Sequence, residues 1–179
     1  MPFSSITFIF LFLPITLILF YVLPGKKWRN IVLVLTSLVF FGWADPTHIH
    51  ILFLSIFINY IWGLLIGKAQ RQKAENKAKT HMWIGVALNL LLLGFYKYTG
   101  FVIESLAAVS PITVRFTQQG LPLGISFFTF SGISYILDIY NGVNPPQKNL
   151  IEFSAYLIMF PKLLQGPITR LIQIKDDLL

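Results

Sequence analysis

The chain has 179 residues, of which 55% are hydrophobic and 12% charged, and its mean hydropathy is +0.71. This composition excludes an ordinary soluble globular protein and predicts an integral membrane protein. The net charge is +7, but the basic residues fall mainly in short gaps between apolar runs, where they set membrane topology, so we expect no nucleic-acid partner. The absence of cysteine excludes disulfides, cysteine nucleophiles and cysteine-ligated metals.

Two apolar runs open the chain. Residues 6–23 are long enough to span a bilayer, with a kink expected at Pro14. The basic residues at 26–29 follow this run instead of preceding it, which argues against a cleaved signal peptide and predicts an amino terminus outside the cell. Residues 31–44 form a shorter run, which must tilt or thin the bilayer to cross it.

A third helix is predicted from Asp45-Pro46, as N-cap and first turn, to about Gly67. Small and polar residues recur along it at every fourth position, a spacing that places them on one face. Such a stripe predicts an intramolecular helix interface, across which Asn59 can hydrogen-bond. The members of this small-residue stripe are Ser55, Asn59, Gly63 and Gly67.

The loop at 68–81 carries the strongest cluster of basic residues and is predicted to be cytoplasmic. Two crossings separate it from the basic residues at 26–29, so both basic segments fall on the same side. Thr80 is predicted to cap a fourth helix, in which Asn89 is a buried amide. The polar segment 110–120 should then lie outside.

Residues 121–140, LPLGISFFTFSGISYILDIY, are apolar but carry polar groups that an inert membrane anchor does not need. Pro122 in the first turn and Asn141-Gly142 at the end predict one helix about 30 Å long, close to the thickness of a membrane core. At helical spacing, small and polar positions gather on one side and large apolar positions point elsewhere. The first set is Gly124, Phe127, Ser131, Ser134 and Asp138, and the second is Phe128, Ile136 and Ile139. We expect the polar side, with Ser131 and Ser134, to line a cavity or to serve a structural role.

Asp138 is the one charged residue of this helix. A charged group near the bilayer midplane costs about 2.5–3.5 kcal/mol on insertion scales, so such groups face protein, a partner or a cavity. Asp138 could face a substrate or handle a proton. It could also be a structural partner of Arg170, Lys162 or a backbone amide near the helix end, and this is the interpretation that we favour.

The last apolar run, 150–166, follows a linker at 141–148 that contains Pro145-Pro146. Pro161 and Lys162 within it argue against a straight span. Non-helical backbone at membrane depth requires protein or a water-filled cavity beside it, so the segment is expected to line a cavity or simply to end a broken helix. The residues concerned are Pro161, Gln165, Gly166, Pro167 and Arg170.

The three histidines, His48, His50 and His81, are not well placed for chemistry. No cluster of carboxylates accompanies the first two, so they make a weak metal site, and we expect all three to be solvated at the membrane interface. No G-x-S-x-G elbow is present. We therefore assign no catalytic residue, no bound cofactor and no metal site.

Four segments carry a resemblance to a known family: FFGWADP with the downstream SIFINY, GVALNLLLLGFYKYTGF, LPLGISFFTFSGISYILDIYNG, and FSAYLIMFPKLLQGPITR. In this order and with similar gaps, they resemble the amino-terminal portion of the membrane-bound O-acyltransferase superfamily. The resemblance is strongest to the bacterial branch of the alginate O-acetylation protein and its D-alanyl-transferring relatives.

The resemblance implies a multi-pass enzyme of the bacterial inner membrane. It would pass an acyl group, such as acetyl from a cytoplasmic thioester, to an extracytoplasmic polysaccharide such as alginate, with a periplasmic or secreted-side partner protein. The signature histidine of the family lies in a later helix and has no counterpart here. The chain alone is therefore expected to be inactive.

For the fold we expect an all-α polytopic bundle in the lipid bilayer, a single membrane domain over residues 1–179. It should have about four to six membrane segments, with tilted or broken helices in the second half. One alternative is a non-catalytic scaffold or truncated remnant that packs against a full-length relative through the small-residue stripe. A transporter fragment is a weaker alternative, since it rests on Asp138 and the broken helices and no inverted repeat is visible.

Overall fold

A computed structural model describes residues 5–109, 120–165 and 169–178. Within these ranges the chain is helical and contains no strand, which confirms the all-α prediction. A π-helical turn, Phe8–Phe12, precedes α1, and a 3₁₀ turn, Pro46–His48, precedes α3. The helices are α1 (Leu13–Val22), α2 (Lys26–Ala44), α3 (Ile49–Arg71), α4 (Glu75–Val109), α5 (Ile125–Tyr140), α6 (Leu150–Ile158), α7 (Phe160–Gln165) and α8 (Leu171–Leu178).

In the described ranges, two stretches are long and apolar enough to cross a membrane: Pro46–Arg71 and Glu75–Gly100, each of 26 residues. Phe8–Val22 and Ile125–Tyr140 are shorter apolar helices. Only 44% and 28% of the most apolar windows of the two long stretches are buried inside the protein. Their other residues face outward, whereas the central helix of a soluble protein is mostly buried. The fold is that of an all-α membrane bundle.

Hydrogen bonds at the two ends of the bundle show how α3 and α5 run relative to each other. At one end, which we call the Asp45 end, the Leu123 backbone N–H donates to Asp45 Oδ2 at 3.0 Å. At the other end, the Gln70 side chain donates to the Ile139 and Tyr140 carbonyls at 3.0 and 2.9 Å. α3 and α5 are therefore parallel, and both pack against α4. The second end also carries the basic segments 26–29 and 68–79, and we call it the basic end.

The small-residue stripe of α3 is an intramolecular interface, as predicted. Ser55 and Asn59 are fully buried. A side chain at Gly63 would place its Cβ 2.6 Å from the Tyr135 ring, and one at Gly67 would collide with Pro146. The stripe is thus occupied by α5 and by the linker after it, and it leaves no room for a second protein.

The two predicted amides meet in the middle of the bundle. Asn59 Nδ2 donates to Asn89 Oδ1 at 3.0 Å, and Asn89 Nδ2 donates to Asn59 Oδ1 at 2.9 Å. The second N–H of each amide is directed to its own helix, at the Ser55 and Gly85 carbonyls. On the α5 side Gly132 lies against the Asn59 amide, where a Cβ would meet its carbon and oxygen at 2.5 Å. This reciprocal pair confirms the predicted hydrogen bonding across the stripe.

Several helices begin at residues other than those the sequence pattern indicated. α2 begins at Lys26, so the helix is longer than the run 31–44 and includes the basic residues. α4 begins at Glu75, and Thr80 lies within it, where its hydroxyl donates to the Asn76 carbonyl instead of capping the helix.

Near Pro14 the expected kink takes the form of the π-helical turn, because proline provides no N–H for the regular pattern of backbone hydrogen bonds.

The predicted start of α5 was wrong, because the helix begins at Ile125 and is about 24 Å long, not 30 Å. Gly124 precedes it in a left-handed conformation, with φ of 66°, and lies close against the Leu163 carbonyl. This backbone breaks the helix before it can include Pro122. The other end is as predicted: Gly142 has φ of 72°, and the Val143 N–H donates to the Asp138 carbonyl at 2.8 Å, which closes the helix with a glycine C-cap.

Candidate functional site

Asp138 is buried near the end of α5, with 4% of its surface exposed. Its Oδ1 lies 3.9 Å from Nη1 of Arg170, whose side chain is 60% exposed. This separation is longer than a hydrogen bond. Oδ2 is buried and has no hydrogen-bond partner among the described residues. The backbone amides at the helix end, of Val143 and Asn144, bind the Asp138 carbonyl instead of its carboxylate. Among the described residues, Asp138 thus has one ionic partner, and the interaction is weak.

Lys162, the other basic partner considered for Asp138, is directed elsewhere. Its Nζ donates to the Tyr156 carbonyl at 3.1 Å and lies 4.2 Å from the centre of the Tyr156 ring. The Tyr156 hydroxyl in turn donates to the Ser131 carbonyl on α5 at 3.2 Å. Lys162 therefore stabilises the junction of α6 and α7, and Tyr156 joins α6 to the face of α5 that carries Ser131.

The second half of the chain contains the predicted broken helix. Met159 leaves the helical conformation, with ψ of 119°, and separates α6 from α7. The Phe160 N–H, which has no partner within its own helix at this break, donates to Ser37 Oγ on α2 at 3.0 Å. The break is therefore satisfied by protein, as non-helical backbone at membrane depth requires. Ser37 carried no signal in the sequence beyond a hydroxyl in an apolar run.

The remaining predicted site residues differ in their surroundings. Ser131 is buried, Ser134 is half-buried and Pro161 is exposed in the first turn of α7. Gln165 is the last residue of α7. Gly166 and Pro167 lie outside the described residues. The structure thus brings Ser131, Tyr156 and Lys162 together along one seam and places the Asp138–Arg170 pair nearer the basic end.

The prediction that His48 is solvated at the membrane interface was wrong. Only 5% of its surface is exposed, and its Nδ1 lies 2.7 and 2.9 Å from the two carboxylate oxygens of Asp45. Asp45 therefore does not cap the following helix. Its carboxylate joins His48 to the Leu123 N–H, so it fastens the start of α3 to the segment before α5. His50 is exposed and His81 is half-buried.

The hydrogen-bonded pair of Asp45 and His48 was not predicted from the sequence. The available signal was the spacing of three residues, which places a carboxylate and an imidazole on one helical face. A carboxylate on Nδ1 fixes the orientation of an imidazole and leaves Nε2 directed away from it. His48 Nε2 is buried and has no hydrogen-bond partner in the part of the chain that the structure describes.

Comparison with known proteins shows similarity along nearly the whole chain. It is 40% identical to the probable alginate O-acetylase AlgI of Pseudomonas aeruginosa and 38% identical to that of Pseudomonas syringae, over 99% of this chain in both cases. Over 93% of this chain, it is 28% identical to a peptidoglycan O-acetyltransferase of Helicobacter pylori. The aligned region is 34% of each Pseudomonas protein and 36% of the Helicobacter protein. No protein-family model and no solved structure matches the chain.

The chain therefore spans about a third of the length of the curated relatives that it matches. The resemblance to the bacterial O-acetylation branch, inferred from four segments, is confirmed by this similarity.

Proposed function

We propose that this alginate O-acetylase-like chain forms the amino-terminal portion of a membrane-bound O-acyltransferase. The enzyme would transfer an acetyl group from a thioester donor to a polysaccharide outside the cytoplasm. The similarity over 99% of the chain to proteins named alginate O-acetylase carries this proposal. A relative named for peptidoglycan supports the broader acceptor class, a polysaccharide of the cell envelope.

Within such an enzyme this portion would be a scaffold. The Asn59–Asn89 pair and the seam at Tyr156 tie the helices together through groups that are all directed inward. The resemblance assigns the catalytic base to a histidine in a later helix. We therefore propose that this portion holds the acyl-transfer tunnel in shape and that the remaining part of the enzyme supplies the base.

A chimera tests this proposal. The corresponding third of the Pseudomonas aeruginosa alginate O-acetylase is replaced by this chain in a strain that lacks its own copy, and the acetyl content of secreted alginate is measured by NMR. We expect acetylation to be restored by the chimera and not by this chain alone. A chimera that is present in the membrane at normal level but yields unacetylated alginate would contradict the proposal.

We further propose that the protein lies in the inner membrane with its basic end in the cytoplasm, where a soluble thioester donor is available. The support is that the segments 26–29 and 68–79 share one end of the bundle, as the positive-inside rule requires. A partner protein on the periplasmic side would then contact the Asp45 end.

Because the chain has no cysteine, single cysteines can report this topology directly. Lys77→Cys at the basic end and Thr47→Cys at the Asp45 end both replace exposed residues. An impermeant maleimide applied to whole spheroplasts should label the second variant and spare the first, which should react only after lysis. The opposite pattern would reverse the proposed orientation.

A further inference from the structure

A cleft of about 580 Å³ opens at the basic end, between the end of α3 and the linker that follows α5. It lies apart from the seam at Tyr156 and from the Asp45–His48 pair. Its lining residues are Gly67, Gln70, Arg71, Gly142, Asn144, Pro145, Pro146 and Lys148.

The walls of this cleft are held by hydrogen bonds on both sides. Gln70 fastens α3 to the last carbonyls of α5, and the Asn144 N–H donates to the Asp138 carbonyl at 3.3 Å. Further along the linker, the Gln147 N–H donates to the Tyr135 hydroxyl at 2.9 Å. Pro146 packs against Gly67, where no side chain would fit. The cleft is therefore a built feature of the fold and not a gap in a loose loop.

The charge of the cleft is positive. Arg71 and Lys148 line it, and no acidic residue is among the described residues that do so. Glu152, which follows the linker, has both oxygens engaged, by Gln147 Nε2 at 2.9 Å and by Asn149 Nδ2 at 2.8 Å. Asp138, whose carbonyl binds the Asn144 N–H, does not line the cleft, and its carboxylate lies 3.9 Å from Arg170. The Arg71 Nε donates to the Gly67 carbonyl at 3.2 Å, which holds its side chain beside the cleft. Two cations thus lack a counter-charge in the described lining.

The side chain of Asn144 provides independent evidence that the cleft binds a ligand. The residue is only 4% exposed, and its Nδ2 has no acceptor among the residues for which the structure gives a position. Buried amide donors in folded proteins almost always have a hydrogen-bond partner. An acceptor that is not part of the described chain would satisfy this N–H group.

We propose that this cleft binds a phosphate group. A phosphate offers several strong acceptor oxygens and a charge of up to −2, which match one guanidinium, one ammonium and one amide donor. The cleft is much larger than a free phosphate ion, so the group belongs to a larger molecule, either the headgroup of an anionic phospholipid or a soluble phosphate ester. The inference stands on the cleft alone and does not depend on the proposed acyl transfer.

The test compares two double variants that remove the same charge. Arg71→Gln with Lys148→Gln changes the cleft, whereas Lys77→Gln with Lys79→Gln changes exposed residues of α4 that do not line it. Binding of inorganic pyrophosphate to the whole purified chain in neutral detergent is measured by calorimetry. Retention of phosphatidylglycerol, from vesicles of equal phosphatidylglycerol and phosphatidylcholine, is measured by native mass spectrometry.

We expect at least one probe to bind and the cleft variant to weaken that binding by about tenfold or more, with less than about a twofold effect in the control. Binding of pyrophosphate identifies a soluble ligand, and selective retention of phosphatidylglycerol identifies a lipid headgroup. Absence of both, or equal losses in the two double variants, would overturn the proposal. Asn144→Asp, which puts a carboxylate at the cleft without changing size, should also abolish binding while circular dichroism stays unchanged.

Discussion

The middle of the bundle and the end of α5 both bury polar side chains, but they treat them differently. In the middle, the amides of Asn59 and Asn89 donate to each other and to carbonyls of their own helices, so all their partners lie within α3 and α4. At the end of α5, Asp138 Oδ2 and Asn144 Nδ2 are buried without a partner in the described ranges. The amide pair is therefore complete in itself, whereas Asn144 Nδ2 is available to an acceptor that the described residues do not supply.

This difference distinguishes buried polar groups that stabilise the fold from buried polar groups that can bind a ligand. A fully satisfied polar pair fixes the register of two membrane helices and offers nothing to a ligand. An unsatisfied buried group is costly, and it persists in a fold when something else pairs with it. Substitutions of the amide pair should therefore lower the stability of the fold, and substitution of Asn144 should weaken binding of a phosphate group in the cleft.

The largest effect on stability is expected for Gly132→Ala. The added Cβ would lie within 2.5 Å of the Asn59 amide, so α5 must move away from α3 or the amide pair must break. We expect a loss of about 2–4 kcal/mol in the free energy of unfolding, measured by titration with denaturing detergent in mixed micelles. Gly94→Ala on α4 is the matched control, since nothing lies within 4 Å of the position that its Cβ would take. It should be neutral or stabilising by up to about 1 kcal/mol, because alanine favours a helix more than glycine does.

Asp45→Ala should have the next largest effect. It leaves the His48 Nδ1 and the Leu123 N–H without their acceptor at a partly buried site. The expected loss is about 1–3 kcal/mol, in the same titration. His50→Ala removes an exposed histidine two residues further along and should change nothing measurable. Equal stability of the Asp45→Ala variant and the wild type would show that the pair does not hold α3 to α5.

The amide pair itself calls for a double-mutant cycle with Asn59→Leu and Asn89→Leu. Each single variant leaves one buried amide without its cross-helix partner and should cost about 1 kcal/mol. The double variant removes both amides, so we expect its loss to be smaller than the sum of the two single losses. Strictly additive losses would mean that the two amides do not stabilise each other.

Features that depend on local pattern were predictable from the sequence, and features that depend on the approach of distant segments were not. The spacing of Asn59 and Gly63 along one helix face revealed the stripe, and Gly142 revealed the end of α5. The start of α5 was missed because Gly124 takes its left-handed conformation against Leu163, which is far along the chain. The cleft was missed for the same reason, since Arg71 and Lys148 meet only after folding.

The pairing of Asp45 with His48 was missed for a different reason, because the two residues are close together in the sequence. Asp45 precedes a proline at a helix start, and this context favours a capping role for an aspartate. In the structure this carboxylate accepts from His48 Nδ1 and from the Leu123 N–H, and it makes no capping hydrogen bond. The acceptor need of the Leu123 N–H, 78 residues away, favours the pair over the cap.

The smallest effect on stability is expected for Asp138→Asn, the substitution at the end of α5. The carboxylate is buried, but its one ionic partner among the described residues, Arg170, is mostly exposed and 3.9 Å away, so the pair contributes little. Asparagine keeps the size and removes a buried charge whose second oxygen has no partner in the same ranges. The free energy of unfolding should therefore stay within about 0.5 kcal/mol of wild type, or increase.

The same substitution in the alginate O-acetylase chimera separates a structural from a chemical role of Asp138. If the carboxylate only helps to position α8 through Arg170, the acetyl content of the alginate should remain near that of the unsubstituted chimera. Arg170→Gln is the matched variant, because it removes the same ion pair from the exposed side. A loss of acetylation in Asp138→Asn alone, with normal stability and normal membrane level, would mean that the unpaired oxygen itself takes part in the reaction.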